Sequence, residues 1–310
     1  MRKTAFIFPG QGAQYVGMGK DIYDNHSVAK GVFEEADRIL GRSISNLCFK
    51  GPEDQLKDTR NAQPAIVTTS IALYKVLVEE GIEPDFTAGH SLGEYSALIA
   101  SKAVSLEDGL RLVNFRSRLM AEADPDHQGM MAAILGIDRN TLSVLLQEAS
   151  EIGLVEAANF NCPGQIVASG DKKGIAKLQE LVVAKGGKVI PLAVSGAFHS
   201  SFMKKAAEAF RSELEKIVWL DPKPPVVANV CAKPVPKEQL TDSLYRQIFS
   251  SVLWEDSLNY LRAQGVEVFV EVGPGKVLSG LVKKTLKDAT FVNCEDMSSI
   301  KKALAILKEV

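Results

Sequence analysis

The sequence predicts an α/β protein with a mostly parallel sheet, and three observations support this fold class. Short β-rich segments alternate with longer segments of helical periodicity along most of the 310 residues. Hydrophobic residues make up 46% of the chain and charged residues 24%, which is typical of a folded globular protein. Between residues 128 and 194 the predicted order changes to β-α-β-β-α-β, which indicates a second, smaller sheet.

The chain begins with a predicted strand and a glycine-rich loop. Residues 4–8 are rich in β-forming side chains, and the loop Gly-Gln-Gly-Ala-Gln follows at residues 10–14. A dinucleotide fingerprint requires glycine where Tyr15 stands, and a Walker A loop requires its first glycine where Gln14 stands. The loop is therefore not predicted to hold a phosphate. Two interpretations remain open: it brings backbone N–H groups near a site, or it is a mobile surface loop.

Two helices and a tight turn follow this loop. The helices are predicted over residues 33–40 and 63–80, with Pro64 near the first turn of the second. An apolar strand at residues 86–88 then meets a helical segment at residues 94–100. The five residues between them read Gly-His-Ser-Leu-Gly, which predicts a strand-to-helix turn with a serine at its apex.

Ser91 in this turn has the surroundings of a nucleophile. A turn this tight leaves no room for side chains on its flanks, so Gly89 and Gly93 are needed and the hydroxyl is exposed above the strand ends. The backbone N–H of Leu92 opens the next helix, where it is placed to stabilise an oxyanion. The alternative is an ordinary turn whose serine only caps the helix.

The next predicted helix, which Ser105 caps, carries a cation on its apolar face. Leu112, Phe115 and Leu119 recur at helical spacing and form one buried stripe, and Arg116 falls inside it. A guanidinium on such a face needs an anion or must extend to water, because an unpaired buried charge is strongly unfavourable. Three interpretations stay open: an internal ion pair, an extended stem, or a contact with a ligand.

Residues 128–194 form the predicted small subdomain. Its elements are strands at 130–137, 153–159, 165–169 and 188–194 and helices at 139–150 and 172–185. This β-α-β-β-α-β order predicts a ferredoxin-like unit inserted in a larger, hydrolase-like domain. A polar segment at 124–127 and the pair Ser195-Gly196 mark the boundaries. The large α/β domain is therefore predicted to comprise residues 1–127 and 195–310.

The last part of the chain supplies a candidate general base. The chain has four histidines, and His199 lies in Gly-Ala-Phe-His-Ser before a helix predicted to end near Val218. His26 and His127 lie in polar segments, and His90 directly precedes Ser91, so its side chain is expected to point away from the serine. His199 is therefore the best candidate base. The alternative is that His199 is only a structural histidine. Further elements are strands at 226–230, 266–272 and 290–294 and helices at 240–250, after the loop 273–276, and from 298. That loop also lacks the residues of a phosphate fingerprint.

Composition excludes several classes of function. The chain has 36 Lys and Arg against 38 Asp and Glu, a net charge of −2, which does not favour nucleic acid or an anionic membrane as a partner. No apolar segment approaches the length of a membrane span, so we expect a cytoplasmic protein. The cysteines lack the spacing of a disulfide framework or a zinc site, and no metal is expected; they are Cys48, Cys162, Cys231 and Cys294.

Six segments in one order, spread over nearly the whole chain, resemble the malonyl-CoA:acyl carrier protein transacylase family. They are Phe-Pro-Gly-Gln-Gly-Ala-Gln at 8–14, Gly-His-Ser-Leu-Gly-Glu at 89–94, Arg116, Asn-Phe-Asn-Cys-Pro-Gly-Gln at 159–165, Gly-Ala-Phe-His-Ser at 196–200 and Glu-Val-Gly-Pro-Gly at 271–275. The resemblance implies an acyltransferase that moves a malonyl group from malonyl-CoA to the phosphopantetheine thiol of acyl carrier protein, supplying fatty acid synthesis. It implies no cofactor beyond these substrates, and we expect a monomer.

The same resemblance implies roles for individual residues. Ser91 is the implied nucleophile of a ping-pong reaction and His199 its base. The N–H groups of Gln11 and Leu92 are the implied oxyanion hole, and Arg116 is implied to bind the malonyl carboxylate.

Four further residues take implied supporting roles. Gln247 is implied to orient His199 through its backbone carbonyl, in place of the acid of an ordinary triad. Gln63 is implied to lie near the acyl group, Phe198 to favour malonyl over branched acyl units, and Asn161 to contact the substrate.

The chain departs from the family pattern at two positions, and alternatives remain. Ser117 stands where glycine is usual, which is expected to alter the surroundings of Arg116; Ser251 stands where proline is usual, which puts the role of Gln247 in question. One alternative is an α/β-hydrolase esterase, which predicts an acid in triad order and neutral esters as substrates. Others are an acyltransferase serving a polyketide synthase and a scaffold without turnover.

Overall fold

The structure is a computed structural model that describes residues 2–194 and 196–308, so the predicted boundary at Ser195 lies outside the described residues. The strands are β1 (Lys3–Phe8), β2 (Phe86–Gly89), β3 (Gly129–Leu135), β4 (Val155–Cys162), β5 (Gln165–Asp171), β6 (Lys188–Pro191), β7 (Val226–Ala228), β8 (Lys233–Pro234), β9 (Val266–Val272) and β10 (Thr290–Cys294). The helices are α1 (Lys20–Asn25), α2 (Ser27–Leu40), α3 (Ile44–Lys50), α4 (Glu53–Lys57), α5 (Thr59–Glu79), α6 (Gly93–Ala100), α7 (Leu106–Glu122), α8 (Arg139–Ser150), α9 (Lys172–Ala184), α10 (Lys204–Leu214), α11 (Leu240–Gln247), α12 (Trp254–Ala263), α13 (Val277–Thr285) and α14 (Met297–Lys308).

The larger sheet confirms the predicted α/β class with mostly parallel strands. Its strand order is β10-β9-β1-β2-β7-β8, and every neighbouring pair is parallel except β7 with β8. The central strand β1 is buried on both faces: Phe6 and Phe8 pack into one hydrophobic cluster, while Ala5 and Ile7 pack into another. Burial on both faces explains why β1 has no polar alternation, as is typical of parallel sheets covered by helices.

The smaller sheet is antiparallel, with the order β4-β5-β3-β6. Its chain order is β3, α8, β4, β5, α9, β6, and both helices pack against it through an apolar cluster of their own. The edge strand β4 also contacts the rest of the protein, because Phe160 N–H donates to Val252 O at 2.9 Å and Val252 N–H donates to Ala158 O at 2.8 Å. The small sheet is thereby attached to the segment between α11 and α12.

The helix predicted over residues 63–80, with Pro64 near its first turn, starts earlier in the structure. Helix α5 begins at Thr59, where the Asp58 side chain caps it by accepting from Arg60 N–H, and Pro64 lies within the helix. A proline there leaves the carbonyl one turn before it without its helical donor. The Nη2 of Arg42 donates to that carbonyl, Arg60 O, at 3.0 Å. The proline is accommodated because a side chain replaces the missing N–H.

Other predicted boundaries are also wrong by a few residues. The helix after His199 starts as a 3-10 turn and ends at Leu214, α11 ends at Gln247, β7 ends at Ala228, and β4 extends to Cys162. Four helices, α1, α3, α4 and α12, have no predicted counterpart; three of them have seven residues or fewer and are defined by packing more than by periodicity. Over residues 2–194 and 196–308, no helix has the length and apolarity that crossing a membrane requires.

Candidate active site

The turn between β2 and α6 has no room for side chains on either flank. A Cβ on Gly89 would lie 1.9 Å from the Gly93 carbonyl carbon, and one on Gly93 would lie 2.0 Å from Phe8 O. Ser91 itself has a φ of 50°, a left-handed conformation that is unfavourable for a side chain. The close approach of the backbones therefore forces the serine onto the apex of the turn.

Ser91 and His199 form a hydrogen-bonded pair. Ser91 Oγ lies 2.7 Å from His199 Nε2, and His199 Nδ1 lies 2.8 Å from the main-chain oxygen of Gln247. Because a carbonyl oxygen only accepts, Nδ1 carries the ring proton and Nε2 accepts from the serine hydroxyl. Burial, aided by the charge of Arg116, lowers the pKa of His199 to about 3, so the ring is neutral near pH 7 and able to take a proton.

Arg116 is a buried cation among neutral partners. Its side chain is 1% exposed; Nη1 donates to Gln63 Oε1 at 2.7 Å, and Nη2 donates to Ser91 Oγ and to Gln247 Oε1, each at 3.1 Å. Among the described residues no carboxylate lies within ion-pair distance of it, so neither an internal ion pair nor an extended stem accounts for its burial. Burial lowers the pKa of this guanidinium, and an incoming anion would relieve that cost.

Asn229 supports the turn and has no counterpart among the predicted site residues. Its Oδ1 accepts from Ser91 N–H and its Nδ2 donates to Gly89 O, both at 2.7 Å. The residue was expected inside a strand, but β7 ends just before it. Its partners lie far away in sequence, so no local pattern could have identified it. One consequence is that the N–H of Ser91 is occupied and is not free for an oxyanion.

The backbone N–H groups of Gln11 and Leu92 have no hydrogen-bond partner among the described residues. Both residues line the same cavity as Ser91. The glycine loop is held against the turn, since a Cβ on Gly10 would lie 2.6 Å from His90 O, and Gln11 Nε2 donates to Thr59 Oγ1 at 2.9 Å. These contacts pack the loop against the turn and favour the interpretation in which the loop brings backbone N–H groups near the site.

A cavity of 590 Å³ lies between the turn, the glycine loop and the small sheet. From the small sheet it is lined by Met131, Asn159, Asn161, Gln165 and Val167. Asn161 Oδ1 lies 2.8 Å from Nε2 of His90, so His90 is directed to this wall and not to Ser91. Phe198 and Gln63 also line the cavity, which therefore contains the predicted substrate-contacting residues together.

Comparison with known proteins identifies the family. A family model described as an acyl transferase domain matches residues 5–305. The chain belongs to the acyl transferase family. It is 48% identical over 312 residues to the malonyl CoA-acyl carrier protein transacylase of Bacillus subtilis, an alignment that covers 100% of this chain and 98% of that protein.

Solved structures of other acyl transferases have the same fold. The malonyl CoA-acyl carrier protein transacylase of Clostridium perfringens superposes with a TM-score of 0.97 at 40% identity, covering 99% of this chain and 98% of that one. A malonyl-transacylase solved in complex with a type II PKS acyl-carrier protein gives a TM-score of 0.95 at 36% identity, covering 98% and 99% of the two chains.

Both departures from the acyl transferase pattern leave the geometry of the site intact. The hydroxyl of Ser117 donates to Asn114 O in its own helix at 2.9 Å and does not bond to Arg116. Ser251 donates to Ala157 O of β4, and the main-chain oxygen of Gln247 still meets His199. The expected alteration around Arg116 and the question over Gln247 are thus not supported by the contacts.

Metal ligands do not come together in the part of this acyl transferase that the structure describes. Across residues 2–194 and 196–308 there is no group of three or more His, Cys, Asp or Glu side chains arranged to hold an ion. The four cysteines are unpaired thiols, of which Cys231 is exposed and the other three are buried.

Proposed function

We propose that the protein transfers a malonyl group from malonyl-CoA to the phosphopantetheine thiol of an acyl carrier protein through an ester on Ser91. The observation that carries this proposal is the position of Arg116, a buried cation 3.1 Å from the nucleophilic oxygen with only neutral partners. Such a cation favours an acyl group that ends in a carboxylate over a neutral one. The transacylase names of the relatives support the same reaction.

The first half-reaction forms the acyl-enzyme. His199 Nε2 takes the proton of the Ser91 hydroxyl as Oγ attacks the thioester carbonyl carbon. The tetrahedral oxyanion accepts hydrogen bonds from the N–H groups of Gln11 and Leu92. The carbon–sulfur bond then breaks, and the CoA sulfur leaves with the proton held by His199. The Gln247 carbonyl keeps the proton on Nδ1, so the ring alternates between neutral and doubly protonated forms.

The second half-reaction returns the serine. The thiol of the carrier protein gives its proton to His199 Nε2 and attacks the ester carbonyl, and the same N–H pair binds the new oxyanion. When this intermediate collapses, Ser91 leaves and takes the proton back. No cofactor is needed, because each substrate supplies its own thiol or thioester.

Acyl selectivity follows from the residues around Arg116. The malonyl carboxylate accepts from its Nη atoms in place of neutral partners, and Gln63 holds the other side of the guanidinium. Phe198 is 6% exposed on the cavity wall and limits the space beside the acyl α-carbon, which disfavours branched units. Asn161 contacts the part of the substrate that lies along the small sheet.

We also propose the finer architecture that the element order supports. The antiparallel order β4-β5-β3-β6 with two helices on it suits a ferredoxin-like subdomain at residues 128–194, and the serine turn suits a hydrolase-like domain formed by the rest. A cytoplasmic monomer stays a prediction from composition.

Intact-mass spectrometry after brief mixing with malonyl-CoA or acetyl-CoA tests the reaction. We expect a malonyl adduct on the wild type, none on Ser91→Ala, and a much weaker acetyl adduct. Arg116→Ala should lose the malonyl preference by about 100-fold, because a charge-assisted bidentate contact is lost. A wild-type protein that stays unlabelled, or that labels equally with both thioesters, contradicts the proposal.

A carrier protein of a type II polyketide synthase is a second candidate acceptor, favoured by the carrier complex of one 36%-identical relative. Competition between fatty acid and polyketide carriers for the malonyl-enzyme would separate the two. An esterase is disfavoured, because His199 Nδ1 meets a carbonyl oxygen where an esterase has a carboxylate.

A further inference from the structure

The reaction above leaves one buried carboxylate next to the site without a role. Glu94 lies in the first turn of α6 and is 1% exposed. Its Oε2 accepts from Gln247 Nε2 at 2.9 Å and from Asn229 N–H at 3.1 Å. A carboxylate this deeply buried is costly unless a specific interaction compensates it, which directs attention to the groups it touches.

The Gln247 amide joins this carboxylate to the reacting groups. Its Nε2 donates to Glu94 and to Ser91 O, and its Oε1 accepts from Arg116 Nη2. If the amide were turned over, its NH₂ would face the Arg116 cation and its oxygen would face the carboxylate. An ionised carboxylate accepts only, so Glu94 selects the orientation in which Oε1 faces Arg116.

Glu94 is also a carboxylate whose charge interacts with that of Arg116. The two groups are separated by a single amide, and Arg116 has no carboxylate in direct contact among the described residues. Burial raises the pKa of Glu94 to about 7, opposed by its bonds to Gln247 and Asn229 and by Arg116. The ionisable groups that interact with it are Arg116 from α7 and Tyr95 from α6, and His199 nearby is neutral.

We propose that Glu94 is a positioning residue for acyl selection: it fixes the Gln247 amide and supplies the charge that Arg116 exchanges for the acyl carboxylate. This inference rests on the proposed function, because it assumes that Arg116 receives the malonyl carboxylate. Two negative groups then compete for one buried cation. Removing the charge of Glu94 should therefore tighten the binding of malonyl-CoA and leave acetyl-CoA unaffected, which loss of structure alone would not do.

Calorimetric titration at pH 8.5, where Glu94 with its pKa of about 7 is ionised, tests this inference in a Ser91→Ala background in which no acylation occurs. We compare that variant with Ser91→Ala/Glu94→Gln, using malonyl-CoA and acetyl-CoA as the probes. Gln has nearly the shape of Glu and still presents an oxygen to Gln247 and Asn229. We expect the Kd for malonyl-CoA to fall by about five-fold, as expected for one buried charge removed near another, and the Kd for acetyl-CoA to stay within about two-fold.

Glu271→Gln in the same background is the matched control. Glu271 is also buried and, like Glu94, accepts two hydrogen bonds, here from the backbone N–H groups of Leu278 and Ser279, but it does not contact Gln247 or Arg116. Its substitution should leave unchanged the ratio of the Kd for malonyl-CoA to the Kd for acetyl-CoA. If malonyl-CoA binds equally with and without the Glu94 charge, the inference is overturned. If Ser91→Ala alone shows no malonyl preference, the proposed function fails instead.

Glu94→Asp keeps the inference testable if Glu94→Gln fails to fold. Aspartate retains the charge but withdraws it from Gln247 by one methylene, so the amide loses its anchor. With Ser91 present we expect kcat to fall about ten-fold, while KM for malonyl-CoA stays within about two-fold. Unchanged kcat in this variant would show that Glu94 does not position Gln247.

Discussion

The two walls of the cavity differ in kind. The wall built on the large sheet carries Arg116 and His199, with the carboxylate of Glu94 buried behind them, and each of these three residues is at most 4% exposed. The wall built on the small sheet presents neutral amides and apolar side chains, among them Asn161 and Met131. In the proposed reaction the large-sheet wall performs the chemistry, while the small-sheet wall shapes the space in which the substrate lies.

The walls are also held in place differently. The large-sheet wall depends on close contacts between backbones and on two residues in the left-handed region, Ser91 with a φ of 50° and His199 with a φ of 57°. The small-sheet wall depends on the antiparallel ladder between β4 and β5, whose register shifts between Ala157 and Asn159 and again between Phe160 and Cys162. Strained conformations persist only where the surroundings fix them. The large-sheet wall should therefore tolerate substitution poorly, and the small-sheet wall should tolerate it well.

Gly93→Ala tests the large-sheet wall and should have the largest effect on stability and on acylation. The added Cβ would lie 2.0 Å from Phe8 O, a backbone atom of the central strand, so either the strand or the turn must shift. We expect a loss of at least about 3 kcal/mol in the free energy of unfolding, measured by denaturant titration. Any folded fraction should acylate at least about 100-fold more slowly, because a displacement of about 1 Å misplaces the serine.

Gly31→Ala is the matched control for this substitution. Gly31 lies within α2, and a Cβ there would meet no atom within 4 Å. Alanine should therefore stabilise the helix by about 0.5–1 kcal/mol with no effect on acylation. A Gly93→Ala protein as stable and as active as Gly31→Ala would show that the turn is not fixed by this contact.

Local sequence patterns predicted the residues of the large-sheet wall better than they predicted the hydrogen bonds that support these residues. The spacing of Gly89 and Gly93 around Ser91 predicts the turn, and the apolar stripe around Arg116 places this residue on the buried face of its helix, because both patterns depend on neighbours in sequence. Asn229 could not be predicted, since its partners at the turn are distant in the chain and become neighbours only when β7 joins β2 in the sheet. The predicted start of α5 was wrong because Pro64 is not in the first turn, where the local sequence rule places a proline. The Arg42 side chain donates to Arg60 O, the carbonyl that Pro64 leaves without its helical donor.

The pH dependence of acylation tests whether His199 lies in a buried, positively charged environment. Its pKa is lowered to about 3, so the ring stays neutral at every pH above about 4 and no base is lost on mild acidification. We expect kcat/KM for malonyl-CoA to fall by less than about two-fold between pH 7.5 and pH 5 in the Glu94→Gln variant, where the carboxyl with a pKa of about 7 no longer titrates beside the site. A histidine with its ordinary pKa near 6.5 would lose about 30-fold at pH 5. Stopped-flow acylation in a constant-ionic-strength buffer series distinguishes the two, and a loss of that size would contradict the assigned environment.

Asn161→Ala probes the small-sheet wall and should have a much smaller effect than Gly93→Ala. The substitution removes an acceptor 2.8 Å from His90 Nε2 and a polar contact on the cavity surface, but it leaves the pairs around Ser91 untouched. We expect KM for malonyl-CoA to rise about three- to ten-fold with kcat within about two-fold, since about 1 kcal/mol of hydrogen bonding is lost. Asn140→Ala, on the exposed start of α8, should change neither constant. A fall of ten-fold or more in kcat for Asn161→Ala would mean that the small sheet takes part in the chemistry, and the division between the two walls would then be wrong.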